Sequence, residues 1–314
     1  MARKPRTPAA DFAVYLAVRL LVCAIQAVPA GLAFHLAELL ARAAYRLDRR
    51  HREVAAENIS HAFPDLAPAA VDRLVRATYR HFARVVVEMV LLPRKLHVAC
   101  WRRYATMYPA ARMIGPVLGP RPALLVTAHF GNWELAGWMV GLIGLKTYAV
   151  ARVLDNPHVD RFLKRFRQRT GQTLIAKKDD FDRLTGALRA GAKVATLADQ
   201  DAGPRGVFVD FFGRPASTHK AVALMALEFD APLLVVGAPR VGEPMFYAMV
   251  CEDVIDPREY AARPDAVRAI TERYTAALER LIRRHPEQYF WLHRRWKSRP
   301  AARERKPADV KRAA

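Results

Sequence analysis

The chain has 314 residues, of which 52% are apolar and 26% charged, so it is long enough to bury a core and too apolar to be disordered. Its formal net charge of +21 points to anionic partners: nucleic acid, an anionic membrane surface, phosphorylated lipid or an acidic protein. Cys23, Cys100 and Cys251 are far apart and form no CxxC, which argues against a disulfide framework or zinc site and for a reducing compartment.

At the N-terminus Arg3, Lys4 and Arg6 precede an apolar stretch that begins at Phe12 and is interrupted by Arg19. Residues 20–37 are then almost wholly apolar apart from Gln26 and His35, with Pro29 and Gly31 expected to kink them. Arg42, Arg46, Arg49, Arg50 and Arg52 follow. A cleaved signal peptide, a buried helix and an uncleaved membrane anchor all fit such a segment. Arg19 counts against the signal peptide, and basic flanks on both sides favour an anchor that spans the bilayer or lies in its interface.

Residues 50–92 read as helical, with a break at Pro64 and a new helix from Asp65. Val71, Leu74, Val75, Tyr79, Phe82, Val85 and Val86 recur there at helical spacing. After Pro109 short apolar runs alternate with helical stretches. Strands are expected at 123–127, 146–153, 173–176, 194–197, 207–212, 233–236 and 245–250. Helices are expected at 133–143, 157–170, 179–190, 216–229 and 265–284. That alternation implies an α/β fold, a mixed and largely parallel sheet flanked by helices, behind an N-terminal helical membrane anchor. The expected division is 1–48 anchor, 49–298 α/β domain and 299–314 a basic tail, with Pro300 and Pro307, that frays.

Ligands of such sheets sit at the carboxyl ends of the strands. The first strand after Pro109 runs into His129-Phe130-Gly131-Asn132-Trp133-Glu134. Gly131 permits a tight bend and close approach of a substrate, and Asn132 can cap the helix that follows. With His129 before that helix and Glu134 reaching back to it, the carboxylate would fix the imidazole tautomer and leave the other nitrogen as a general base. A bare His-x4-Glu pair is common by chance, so the weight falls on the whole string between strand and helix. Trp133 and Trp138 read as core or interfacial aromatics, and His158 and His219 as packing or surface. No metal constellation, P-loop or GxSxG elbow occurs, so neither a cofactor nor an acyl-enzyme is required.

The string HFGNWE resembles the HxxxxE/D signature of the lysophospholipid acyltransferase superfamily. Its filling is similar to the bacterial lipid A acyltransferase branch, which adds secondary fatty acyl chains to a lipid A precursor. Further matches are residues 58–64 (NISHAFP), 152–157 (RVLDNP), the Asp199-Gln200-Asp201 block with 207–213 (VFVDFFG) and 216–218, and 290–297 (FWLHRRWK). The resemblance covers about residues 50–297. It implies a membrane-associated enzyme, cytoplasmic-facing at the cell inner membrane. Such an enzyme moves an acyl chain from acyl carrier protein or coenzyme A thioester to a hydroxyl of an anionic glycolipid. His129 would be the base and Glu134 its orienting partner. Arg152 would contact a phosphate or the carboxyl end of the donor, and Asp199 and Asp201 would shape the site. Gly131 and Asn132 would approach the substrate, and Gly213 with Ser217 and Thr218 would bring backbone donors. His293, Arg294, Arg295 and Lys297 would bind anionic lipid.

Phosphatidylinositol mannoside, ornithine-lipid and lysophospholipid acyltransferases share these motifs, so the acceptor stays open between them. A basic nucleic-acid or membrane-binding protein without catalysis is the reading from another class. It has the charge but no recognition motif, and nucleic acid is not an expected partner.

Overall fold

The computed structural model describes residues 7–108, 111–176, 180–242 and 244–300. Arg3, Lys4, Arg6, Pro109 and the tail from 301 onward, Pro307 included, lie outside the described residues.

The N-terminal apolar stretch forms two helices. The first, α1 (Pro8–Ala27), starts on a Thr7 cap with proline in its first turn. It stops because a residue before proline is pushed out of the helical region, and Val28 is extended at φ −100, ψ 156. Next come α2 (Ala30–Leu47), α3 (Arg49–Ala62) and α4 (Pro68–Lys95). The kinked run expected at 20–37 is thus divided at Pro29. The helix expected from Asp65 begins instead at Pro68, where proline's missing N–H costs nothing. α1 is the helix, among the described residues, long and apolar enough to cross a membrane. Its Arg19 lies 5.2 Å from the Phe162 ring, so the charge that interrupts the apolar run has an aromatic partner. α2 packs Ala33, Ala37, Ala41 and Tyr45 inward, while Leu32, Leu36, Leu39, Leu40 and Leu47 on its other side are exposed.

The sheet-forming part runs β1 (Ala105–Tyr108), α5 (Ala111–Leu118), β2 (Ala123–Thr127), α6 (Trp133–Leu142), β3 (Thr147–Ala151), α7 (Pro157–Gln168) and β4 (Gln172–Ala176). It continues with α8 (Phe181–Arg189), β5 (Lys193–Leu197), β6 (Val207–Phe211), β7 (Arg214–Thr218), α9 (Ala221–Glu228), β8 (Leu233–Gly237), β9 (Tyr247–Ile255) and α10 (Ala266–Arg284). Seven strands form a mixed, largely parallel sheet in the order β1-β9-β8-β2-β5-β3-β4. β8, β2, β5, β3 and β4 are parallel; β9 returns antiparallel to β8, and β1 adds to it in parallel. β2 is central and buried on both faces, with Leu124 and Val126 toward α9 and α10, and Ala123 and Leu125 toward α5.

One expected element is corrected. Residues 216–229 are not a single helix: they divide into the end of β7 and α9. Phe212 and Gly213 both take positive φ, 56° and 74°, which makes a two-residue hairpin turn and folds β7 back on β6 as a separate antiparallel pair. β1 and α5 have no counterpart among the expectations.

Candidate active site

The register of β2 and β5 pairs Thr127 with Leu197. His129 and Asp199 lie two residues beyond each, so strand pairing alone sets them side by side at the carboxyl edge of the sheet. Asp199 Oδ1 lies 2.9 Å from His129 Nδ1, and Oδ2 accepts the His129 backbone N–H at 3.0 Å. A carboxylate only accepts, so the imidazole proton sits on Nδ1 and Nε2 carries the lone pair. Nε2 makes no hydrogen bond among the described residues. The His129 side chain is 19% exposed and that of Asp199 is 0%. The Trp133 and Phe290 rings lie 5.1 and 6.0 Å from the imidazole, and Phe82 packs edge-on to Phe290, so the imidazole sits among aromatic rings.

Burial works against a charged imidazole here, but the Asp199 charge and hydrogen bond outweigh it, with a smaller pull from Glu134. The His129 pKa is therefore raised above its ordinary value. Burial also opposes the Asp199 charge, yet the His129 contacts and the nearby His293 hold its carboxyl far below the usual carboxylate range. Asp199 is ionised throughout the physiological range.

The expected contact between Glu134 and His129 is not made. Asn132 caps α6 through its Oδ1, which accepts the Leu135 N–H at 2.9 Å. That cap starts the helix one residue before Glu134, whose side chain leaves toward α7. There the Arg167 guanidinium embraces it, with Nε 3.0 and 3.2 Å from the two carboxylate oxygens and Nη2 on one of them. Asp199, delivered by the neighbouring strand, bonds Nδ1 and so fills the place expected of Glu134.

Gly131 and Asn132 are also corrected: neither is presented to a substrate. Gly131 has φ +60, and a Cβ there would collide with the Ala238 carbonyl, so its close approach is to the chain itself. Its N–H donates to the Gln288 carbonyl at 3.0 Å, and that of Asn132 to the Ala238 carbonyl at 2.9 Å. The Asn132 side chain is fully buried and donates to Glu88 (3.1 Å) and the Tyr247 hydroxyl (3.2 Å).

Behind this loop lies a buried network that sequence reasoning missed. Arg240 Nε and Nη2 bond the two Glu88 oxygens at 2.8 and 2.9 Å, and the Tyr247 hydroxyl donates to Glu88. Arg240 Nη1 lies 3.0 Å from His81 Nδ1, and His81 Nε2 reaches the Gly131 carbonyl at 3.1 Å. Arg240 can only donate, so the His81 proton is on Nε2. Burial and the Arg240 charge hold the His81 pKa down to about 3, so it stays a neutral strut. A signal did exist: Glu88 is the single charge within residues 85–92 (VVVEMVLL), and a carboxylate in such a run must be buried with a partner.

The remaining residues divide between the site and its frame. Asp201 accepts from the Gly203 N–H, the Ser298 N–H and the Ser298 hydroxyl at 3.0–3.2 Å, clasping the chain after the closing motif. Gly213 sits exposed at the β6–β7 turn, its N–H on Asp210 at 3.0 Å, which does not bring it to His129. Arg152 lies one residue past β3, exposed and 3.4 Å from Asp155. Arg294 and Lys297 are exposed. Arg295 is 1% exposed and bonds the Ser217 carbonyl (2.6 Å) and Thr218 hydroxyl (2.7 Å), so it ties the closing motif to β7 and cannot greet a lipid. His293 Nε2 lies 3.1 Å from the Asp199 carbonyl. Trp138 is buried core.

A histidine oriented by a carboxylate and open at the carboxyl edge of a mixed, largely parallel sheet is a site suited to group transfer. The particular group follows from comparison with known proteins. The chain belongs to the bacterial lipid A biosynthesis acyltransferase family, whose model matches residues 3–298, and it is an acyltransferase. It is 26% identical over 257 residues to the lipid A biosynthesis palmitoleoyltransferase of Escherichia coli (strain K12), covering 80% of each chain. With the lauroyltransferase of the same organism it shares 26% over 267 residues, 83% of this chain and 84% of the other. With the phosphatidylinositol mannoside acyltransferase of Mycobacterium tuberculosis (strain ATCC 25618 / H37Rv) it shares 30% over 174 residues, 53% of this chain and 55% of the other.

Proposed function

We propose that this acyltransferase moves a fatty acyl chain from an acyl carrier protein or coenzyme A thioester to a hydroxyl of a lipid A precursor or related glycolipid, with His129 as general base and Asp199 as its orienting carboxylate. The observation that carries this is the His129–Asp199 pair, set among aromatic rings with Nε2 free of a hydrogen bond among the described residues. Nε2 takes the proton of the acceptor hydroxyl as its oxygen attacks the thioester carbonyl. The tetrahedral intermediate collapses, the C–S bond breaks, and His129 gives the proton to the departing thiolate, which leaves as the free thiol. No acyl-enzyme is needed, and Asp199 stabilises the transient imidazolium.

The lipid acceptor is supported by the names of the relatives. The 30% identity to the phosphatidylinositol mannoside enzyme keeps that acceptor as a second reading. The apolar, exposed α1 and the outward leucines of α2 support a membrane-facing N-terminus. We place the catalytic domain on the cytoplasmic side of the inner membrane as part of the same proposal. On this reading residues 1–48 serve attachment and 49–298 catalysis.

The test is mass spectrometry of the product formed from acyl carrier protein thioester and a lipid A precursor. One added acyl chain is expected, with turnover lost in His129→Ala while circular dichroism shows the fold retained. Full activity in that variant refutes the assignment of the base, and transfer only to a phosphatidylinositol mannoside selects the second reading.

A further inference from the structure

A cleft of about 470 Å³ opens between α1, α4 and α7. Val22 of α1, Met89, Val90 and Pro93 of α4, and Phe162 and Phe166 of α7 give it an apolar lining. Its border is basic: Arg19 on α1, Arg161 and Arg165 on α7, and Arg169 at the end of α7, all exposed. Positions 161, 165 and 169 are four apart and so share one face of the helix. Lys164 and Arg167 of the same helix have carboxylate partners in Asp160 and Glu134, whereas none of the border arginines meets a carboxylate among the described residues. An arginine-rich composition alone does not explain this. On α10, Arg268, Arg273, Arg280, Arg283 and Arg284 each pair with an aspartate or glutamate. Uncommitted guanidinium groups are gathered where an apolar cleft opens, and a phosphate carrying an acyl chain satisfies both.

α1 is tied to the domain along its length. Asn156 Nδ2 donates to the Asp11 carbonyl at 2.8 Å, and the Phe12 and Tyr15 rings lie 5.5 and 5.8 Å from His158. Arg19 stands over Phe162, and Arg94 Nη1 donates to the Gln26 carbonyl at 2.6 Å. Residue numbers rise together across these contacts, so α1 and α7 run side by side in the same direction. To span the hydrocarbon, α1 would need all of its 20 residues, about 30 Å of helix. It would then carry Arg161 and Arg165 into the bilayer beside it, where uncompensated charge is strongly disfavoured. Laid flat, α1 offers the leaflet Phe12, Leu16 and Leu20, which are exposed and four apart, and keeps the arginines at headgroup level.

We propose that this cleft seats one acyl chain of an anionic phospholipid of the bilayer, with its phosphate among the four arginines, and that α1 lies in the leaflet rather than across it. The proposal rests on the membrane-facing reading of the N-terminus and not on the chemistry at His129.

Depth measurement tests the orientation. Phe12→Cys, Leu16→Cys and Leu20→Cys, each in a chain whose native cysteines are replaced by serine, carry a nitroxide whose depth in vesicles is read from its collisions with oxygen and a nickel chelate. The three labels should lie at one depth. A steady change of about 6 Å from each to the next is the signature of a spanning helix and overturns the proposal.

Sedimentation of the full chain with vesicles of phosphatidylcholine, alone or mixed with phosphatidylglycerol, tests the site. Arg161→Gln/Arg165→Gln/Arg169→Gln should weaken binding to the mixed vesicles by about a hundredfold. Arg258→Gln/Arg263→Gln/Arg268→Gln removes the same charge from exposed positions that line no part of the cleft, and should cost less than about threefold. Equal losses would mean that net charge alone is at work and would overturn the site. Native mass spectrometry of the detergent-solubilised chain should show one phosphatidylglycerol retained by wild type and by the second variant, and none by the first; a wild type that retains none overturns the seat. Should the first variant bind vesicles normally yet lose transfer from acyl carrier protein, the arginines serve that protein and the lipid site is refuted. A wild type that binds neither vesicle removes the membrane-facing reading and this proposal with it, while the assignment of His129 is still judged by its own variant.

Discussion

Asp199→Asn isolates the part played by the neighbouring strand. Asp199 Oδ2 accepts the His129 N–H at 3.0 Å and Oδ1 faces Nδ1 at 2.9 Å. In the asparagine the amide oxygen must stay on the backbone N–H, because the NH2 group cannot accept. The NH2 then faces Nδ1 and donates to it. That forces the imidazole proton onto Nε2, the nitrogen that must take the substrate's proton. The shape of the site is kept while its base is lost, and kcat should fall roughly a hundredfold to ten-thousandfold.

The pH profile carries a second, independent expectation. A general base works when neutral, so wild-type kcat/KM should fall as pH drops through the raised His129 pKa, above the ordinary 6.5. Without the Asp199 charge, burial dominates and pulls that pKa down, so the acid limb of the residual activity should move to lower pH. Initial rates of acyl transfer between pH 5 and 9, followed by mass spectrometry, measure both. Activity within about threefold of wild type together with an unmoved acid limb would refute the pairing. A limb that moves in Glu134→Gln and not in Asp199→Asn would return Glu134 to the role the sequence suggests.

Three further expectations concern the frame. Arg240→Met strands the fully buried Glu88 and should cost about 3–5 kcal/mol, seen as a large drop in unfolding midpoint, whereas Arg240→Met/Glu88→Gln should recover part of it. Gly131→Ala places a Cβ against the Ala238 carbonyl at φ +60, so it should destabilise by more than about 1 kcal/mol and displace His129, lowering kcat with the melting curve. Arg295→Met should lower thermal stability without a selective change in KM for the lipid, since the guanidinium is spent on Ser217 and Thr218; a KM effect in a stable variant would restore it as a lipid contact.

What was legible in the sequence was whatever depends on local pattern. Apolar runs between helical stretches marked β2, β3, β4, β5 and β8, and the position of HFGNWE after a strand put His129 at the right edge. Three things were not legible. The partner of His129 depends on which strand pairs with β2, a register of residues 70 apart that no spacing reveals. The β6–β7 turn rests on Phe212 at positive φ, a conformation unusual for a bulky residue and invisible in composition. Basic residues of the closing motif alternate between solvent and core, so the charge of Arg294 and Arg295 alone could not tell an exposed side chain from a buried one.

Two motifs far apart in the chain, residues 58–64 and 290–297, meet in the fold. Asn58 of NISHAFP donates through Nδ2 to the carbonyls of Trp291 (2.8 Å) and His293 (2.9 Å) in FWLHRRWK. Phe290 in turn donates its N–H to the His129 carbonyl at 2.9 Å and covers the imidazole, and His293 reaches the Asp199 carbonyl. The C-terminal segment thus covers the dyad that strand pairing forms, and Asn58 latches that segment in place. Asn58→Ala should leave two carbonyls short of a donor, costing roughly 1–3 kcal/mol, and should lower kcat although position 58 touches neither dyad residue. Asn58→Asp should be worse, because a carboxylate has no N–H to give and would face two carbonyl oxygens. Thermal unfolding and single-turnover acyl transfer measured side by side check this, and an aspartate variant as stable and active as wild type would refute the latch.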